Sequence, residues 1–184
     1  MMTREKMMAK APLILFGLLV LILIVGLHRS GHQASKFAQH VGDPAPVTDL
    51  PVLGGSGARF TTASWHGKPY VINFFASWCA DCRAEHEELM TLAAGNIPII
   101  GITYKDRPAK TTAYLEENGN PFTAVAEDEK GRAGIDWGLT GVPETFVIDM
   151  VGVIRWHHIG ALTDQVVRDE LMPVWETVYN GINR

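Results

Sequence analysis

The chain has 184 residues, enough for one globular domain and an extension. Its apolar share of 47% is ordinary for a folded protein, and part of it comes from one N-terminal segment. A formal charge of −4 leaves no basic footprint for nucleic acid.

Arg4, Lys6 and Lys10, opposed only by Glu5, precede an uncharged apolar run from Ala11 to Leu27. The run sits at the short edge of a transmembrane helix and above a usual signal-peptide core. The basic flank keeps residues 1–10 in the cytoplasm and exports the rest of the chain. Arg29 and Lys36 weaken that asymmetry without reversing it. His28-Arg29-Ser30-Gly31-His32-Gln33 offers no small-x-small cleavage site, so residues 11–27 are expected to stay as a single-pass anchor. The folded part then faces an oxidising compartment.

Residues 28–42 are polar and read as a tether. Asp43-Pro44-Ala45-Pro46 opens the domain, 43–184, because each proline drives its predecessor to an extended backbone. Gly54-Gly55-Ser56-Gly57 is a turn, Ala58–Thr61 a short edge strand, and Trp65–Pro69 a loop into a core strand over 70–75. The spacing predicts a helix over 80–94, ended by Gly95-Asn96, with Cys82, His86, Leu89 and Ala93 on one face and Arg83, Glu87 and Thr91 opposite. Ile97–Tyr104 is a continuous apolar strand, buried on both faces. A helix over 110–118, a strand over 122–126 and a short helix over 131–137 come next. Residues 144–149 and 153–158 alternate around Met150-Val151-Gly152 as a hairpin. A last helix over 163–179 has Thr163 as N-cap and Gln165, Glu170 and Glu176 on solvent. Strands alternating with helices, closed by a hairpin, predict an α/β fold with a central mixed sheet flanked by helices.

Trp78-Cys79-Ala80-Asp81-Cys82 holds both cysteines of the chain, between a buried strand and a helix. A Cys-x-x-Cys pair at a helix start is how a reactive dithiol is built, since unpaired amides there favour a thiolate. By position Cys79 is the attacking thiolate and Cys82, one turn in, resolves the mixed disulfide. A structural zinc needs about four ligands, and two thiols with His86 fall short. Asp81 opposes the neighbouring thiolate by like charge, which makes the pair a poorer oxidant that leans reducing, and it also suits a first-turn helix acid. Gly141-Val142-Pro143-Glu144-Thr145 carries a proline before a strand. A cis bond at Pro143 would turn the Val142 backbone outward as an edge for a substrate chain, whereas an ordinary strand-opening proline would not; the residues alone leave both open. Glu144 is the acid/base candidate that would trade a proton with Cys82, or else a solvated acid at a strand end. Asn73, in an otherwise apolar strand beneath the dithiol, is a buried amide or part of the site floor. His157 and His158 point to opposite faces and read as structural or surface residues; no third metal ligand accompanies them.

The dithiol after a strand and the later Gly-Val-Pro resemble the thioredoxin superfamily over roughly residues 43–180. Cys82-Arg83-Ala84-Glu85-His86 and Gly138-Leu139-Thr140-Gly141-Val142-Pro143-Glu144-Thr145-Phe146 are closer still to the DsbE/CcmG family, membrane-anchored periplasmic reductases of cytochrome c maturation. Asn73 is similar to the asparagine that replaces thioredoxin's buried acid there. The resemblance implies a three-layer thioredoxin-like fold behind one transmembrane helix. It implies Cys79 as nucleophile, Cys82 as resolver, a redox disulfide between them, Pro143 as cis-proline and Glu144 as site acid, with Trp78, Val142 and Pro143 at the substrate. The implied substrate is a disulfide in apocytochrome c or in a haem-ligation reductase, and a membrane electron-donor protein re-reduces the pair. No cofactor, metal or nucleic-acid partner is implied. Ala80-Asp81 departs from the family's usual proline-containing pair, and Thr140 and Val142 from its usual tyrosine and alanine. The competing readings are a general exported reductase with other clients, and a copper-delivery protein of thioredoxin shape, which would want wider cysteine spacing and a distal histidine.

Overall fold

The computed structural model describes residues 41–181 and, upstream of them, Phe16. The expected cytoplasmic start (1–10), the rest of the anchor (11–27) and residues 28–40 of the tether lie outside the described residues. Among the described residues no helix is long and apolar enough to cross a membrane.

The core strand β3 is Tyr70–Phe75, preceded by a two-stranded antiparallel pair, β1 (Asp49–Pro51) and β2 (Arg59–Thr61). Helix α1 (Ala80–Ala84) and helix α2 (His86–Ala94) follow β3. Then come β4 (Ile99–Tyr104), α3 (Pro108–Asn118), β5 (Ala124–Asp128), α4 (Arg132–Asp136), β6 (Glu144–Ile148) and β7 (Ile154–Ile159). The chain closes with α5 (Asp164–Val166), a π turn over Val167–Leu171 and α6 (Met172–Asn180). The main sheet runs β5-β4-β3-β6-β7, with β3 parallel to β4 and antiparallel to β6. The mixed sheet expected from the element order is present.

Every residue of β3 is buried, as its apolar run requires. Side chains alternate across it. Val71 and Phe75 face Leu89 and Leu92 of α2, Tyr114 and Leu115 of α3 and Trp175 of α6. Tyr70, Ile72 and Phe74 face Ala133 and Trp137. Asn73 therefore looks to the α2 side, the side that also receives both cysteines. The entering chain lies along the hairpin end, with Gly42 N–H donating to the Ile154 carbonyl at 2.8 Å and Ala45 N–H to the Gly152 carbonyl at 2.8 Å.

Three predicted elements differ in detail. The helix over 80–94 is bent at Glu85, where the backbone opens to φ −85°, ψ −6°. The buried set is Cys82, Glu85, Leu89 and Leu92, so the inward phase runs through Glu85, and His86 is only half-buried. The strand expected over 122–126 begins two residues later. Phe122 belongs to the incoming loop, where its N–H donates to Asn120 Oδ1 at 3.0 Å and its ring stacks on Phe75 at 4.6 Å. The strand instead runs on to the buried Asp128, whose carboxylate accepts the N–H groups of Arg132 (2.8 Å) and Gly134 (2.9 Å) at the start of α4. In the last helix the π turn precedes Pro173, which has no N–H for the carbonyl one turn back.

Gly101 of β4 pairs with Asn73 in β3, and the Phe122 ring lies over it. A Cβ there would meet ring atoms at 2.8–2.9 Å. Gly101→Ala must push a buried ring off its stack on Phe75, which costs about 1–3 kcal/mol. The urea midpoint of the variant is expected to fall accordingly; an unchanged midpoint would show that the ring has room to move.

Candidate active site

The site grows from the C-terminal end of β3. Cys79 is the N-cap of α1, with extended backbone (φ −85°, ψ 121°), and its Sγ accepts the N–H of Cys82 at 3.0 Å. The two sulfurs form a disulfide across a Cα separation of 5.3 Å. Both residues are nearly sealed, Cys79 5% and Cys82 2% exposed, so Cys79 is the more open of the two by a small margin. An amide aimed at the Cys79 sulfur stabilises negative charge there once the bridge opens.

The loop before Cys79 is held from two sides. Asp106, just past β4, accepts from Ser77 N–H (2.7 Å) and Ser77 Oγ (3.1 Å), and also from Arg107 N–H (2.8 Å) and Thr111 Oγ1 (3.1 Å). Arg83 of α1 donates to the Ser77 carbonyl at 2.6 Å. Trp78 stays 56% exposed, while its Nε1 donates to the Lys105 carbonyl at 3.3 Å. Lys105 adopts φ 49°, a left-handed conformation costly for a lysine, at the point where its carbonyl meets Trp78. Asp81 is exposed in the first turn of α1.

The Val142–Pro143 peptide is cis. The Val142 carbonyl oxygen lies 3.5 Å from Cys79 Sγ. In the bridged form that sulfur has no proton, so this is a contact; a thiol there could donate to the same oxygen.

Beneath the dithiol, Asn73 is fully buried and its Nδ2 donates to Glu85 Oε1 (2.8 Å) and Thr145 Oγ1 (3.0 Å). Glu85, also fully buried, takes the Leu162 N–H on Oε2 at 2.8 Å. Burial pushes the Glu85 carboxyl up to about 7, against the two hydrogen bonds that favour its charge; Asp81 adds a smaller push upward. Asn73 Oδ1 has no hydrogen-bond partner among the described residues.

Glu144 is placed differently from the expected acid beside Cys82. Alternation along β6 puts Thr145 over Asn73 on the dithiol face, and Glu144 with Phe146 on the other. Its Oε1 accepts from Thr140 N–H (2.7 Å), Thr140 Oγ1 (2.7 Å) and Gly141 N–H (3.1 Å), and its Oε2 from His157 Nε2 (2.8 Å). Glu144 is fully buried, not solvated. Burial alone would raise its pKa, but these bonds, His157 first, more than offset that and hold the carboxyl below its ordinary value.

A bulge between Val147 and Ile148 sets the hairpin register. His157 stacks on its cross-strand partner Phe146, ring on ring at 4.1 Å, and His158 stacks on Trp156, two residues back on the same strand, at 5.5 Å. His86 instead ties α2 to α3: Tyr114 Oη donates to its Nδ1 at 2.9 Å, and its Nε2 donates to the Asn118 carbonyl at 3.1 Å. Among the described residues no group of three or more His, Cys, Asp or Glu side chains is placed to hold a metal ion.

Glu85, Asp106 and His157 were not singled out from the sequence as site residues. Glu85 had a signal, an acid three residues after Cys82 and so on its inward face. Asp106 and His157 had none, because their partners are distant in the chain.

Residues 40–171 match the redoxin family. The thiol:disulfide interchange protein DsbE of Yersinia pestis is 39% identical over 174 residues, 92% of this chain and 93% of that one. That of Escherichia coli K12 is 37% identical over 169 residues, 90% of this chain and 91% of that one. The fold superposes on a secreted Mycobacterium tuberculosis disulfide oxidoreductase homologous to E. coli DsbE with a TM-score of 0.59 and 25% identity, covering 71% of this chain and 95% of that one. A thioredoxin-like sheet with a bridged Cys-x-x-Cys at a helix start and relatives of this closeness lead to one assignment: the chain belongs to the redoxin family and, within it, to the DsbE thiol:disulfide interchange proteins, which are protein-disulfide reductases.

Proposed function

We propose that this protein reduces a disulfide in apocytochrome c, or in a haem-ligation reductase, during cytochrome c maturation. It does so on the periplasmic side of the inner membrane, anchored by residues 11–27. The observation that carries the reading is the Val142 carbonyl 3.5 Å from Cys79 Sγ: the nucleophilic sulfur sits against the backbone just before the cis peptide. A client strand pairing with that backbone brings its disulfide to Cys79 and gains specificity from main-chain hydrogen bonds.

The reduced pair starts the cycle. The Cys79 thiolate attacks one client sulfur, forming a mixed disulfide and releasing the other client sulfur as thiolate. Cys82, deprotonated, then attacks Cys79 Sγ; the Cys79–Cys82 bond forms, the mixed disulfide breaks, and the second client thiolate leaves. Two electrons pass to the client, and its thiolates take up the two protons the dithiol loses. Glu85 takes the Cys82 proton. It lies three residues on, on the same buried face, with a carboxyl near 7 that can both accept and return a proton. Trp78 offers an exposed apolar surface beside the sulfur. A dithiol of a membrane electron-donor protein reverses the exchange and recharges the pair.

Cys79→Ser is expected to abolish turnover, and Cys82→Ser to accumulate mixed disulfides in the cell. Mass spectrometry of the trapped species reads the client. A c-type cytochrome polypeptide or a haem-ligation protein supports the reading; unrelated exported proteins reject the client but keep the chemistry; no trapped species under any reducing cycle rejects the exchange.

Glu85 also leaves a signature in stability. An acid whose folded pKa is raised holds its proton more tightly when folded. Its contribution is complete below about 4.5 and is lost as pH rises toward about 7. The decline is roughly 3 kcal/mol for an acid this displaced. Glu85→Gln is expected to flatten urea-unfolding stability of the oxidised protein between pH 4.5 and 8. It should also remove a group titrating near 7 from the rate of Cys82 attack. A wild-type slope in the variant would exclude Glu85 as the titrating group.

A further inference from the structure

We propose that His157 is a positioning residue for client docking, acting through Glu144 on the backbone that carries Val142; this rests on the reductase reading above. The register of the β6–β7 hairpin makes Phe146 and His157 cross-strand partners, and their rings stack at 4.1 Å and 7°. The stack fixes the imidazole plane and aims Nε2 along β6 at Glu144 Oε2, 2.8 Å away. Both side chains are sealed, His157 2% and Glu144 0% exposed. A carboxylate only accepts, so Nε2 carries the proton of this bond.

Because Oε2 is taken by His157, Oε1 is left to gather Thr140 N–H, Thr140 Oγ1 and Gly141 N–H. Those residues are the two immediately before Val142, so the buried carboxylate is a peg for the loop that ends at the cis peptide. From the other end, Gly160 N–H just past β7 holds the Pro143 carbonyl at 2.9 Å. The contacts run from the His157 ring through Glu144 to the Val142 carbonyl at Cys79, with no surface residue in the path except Thr140 and Gly141 themselves. Without the imidazole donor, Oε2 is a buried acceptor with a missing partner. The carboxylate then turns or takes up a proton, and the loop donors lose their common acceptor. The docking edge loosens while the sulfurs stay where α1 puts them.

The test uses His157→Phe, which keeps a flat ring on Phe146 and removes the donor, and His157→Gln, which returns an N–H. Two substrates are compared with dithiothreitol as reductant: a synthetic peptide disulfide of sequence type Cys-x-x-Cys-His, and hydroxyethyl disulfide, which has no backbone to dock. For His157→Phe the peptide KM is expected to rise about tenfold with kcat changed less than about twofold, the mark of lost uniform binding. The fall in kcat/KM is expected to be at least about fivefold larger for the peptide than for hydroxyethyl disulfide, and His157→Gln to recover most of it. In NMR spectra the Thr140 and Gly141 amide protons are expected to shift and to exchange faster in His157→Phe than in the wild type. An unchanged peptide KM, equal losses on both substrates, no recovery in His157→Gln, or unmoved amides would each overturn the proposal. If His157→Phe does not fold, Thr140→Val removes one Oε1 donor from an exposed position; it is expected to raise the peptide KM about threefold at nearly constant kcat, and no rise overturns the proposal. The wild type's own turnover of the peptide tests the reductase reading separately: if it fails while the amide shifts occur, the client is wrong and the positioning stands.

Discussion

The hydrogen bond between Asn73 and Glu85 is the constraint around which the site is built. It joins the central strand to the bend between α1 and α2, and through Thr145 and Leu162 it reaches β6 and the segment after β7. None of these groups touches water. In so low a dielectric each bond is strong, and each lost partner is expensive. The helix yields to this knot: Glu85 takes backbone angles that open the helix, while its N–H still reaches Asp81 and its carbonyl still accepts from Leu89. The bend thus reorients one side chain without cutting the ladder.

Two glutamates sit near the dithiol, and the sheet separates them. Glu85 lies on the face that receives the sulfurs, with two neutral donors, and burial wins: its carboxyl rises toward neutrality. Glu144 lies on the opposite face with four donors, and the hydrogen bonds win: its carboxyl stays low. The same residue type is set by environment to a raised pKa in one place and a lowered one in the other. Glu144, the sequence-based candidate for proton transfer, is held as a hydrogen-bonded anion on the face away from the sulfurs, and the proposed mechanism gives that role to Glu85.

What the sequence disclosed was governed by local pattern. The apolar run of β3, the Cys-x-x-Cys at a helix start and the strand–helix alternation each depend on neighbours within a few residues, and each element was found where expected. The misses depend on partners far along the chain. Phe122 looked like strand because it is apolar, yet it is loop, held over the bare Gly101 backbone of another strand. Asp128 looked like loop because it is charged, yet it is a buried strand end satisfied by the amides of α4. Apolar spacing alone runs the inward phase of the helix over 80–94 through His86, because an acid at a core position is disfavoured until Asn73 and Leu162 supply its donors. The isomer of Pro143 had no local determinant at all.

Asp106 has a consequence for how the enzyme meets its clients. One carboxylate grips Ser77 by backbone and side chain while also accepting from Arg107 N–H and Thr111 Oγ1 at the start of α3, and the Lys105 carbonyl beside it steadies the Trp78 ring. The rim of the sulfur site is therefore ordered as the chain folds. An arriving polypeptide finds it already shaped, so the conformational entropy of that rim is surrendered once, at folding, and encounter is left to be limited by diffusion, orientation and the flexibility of the client.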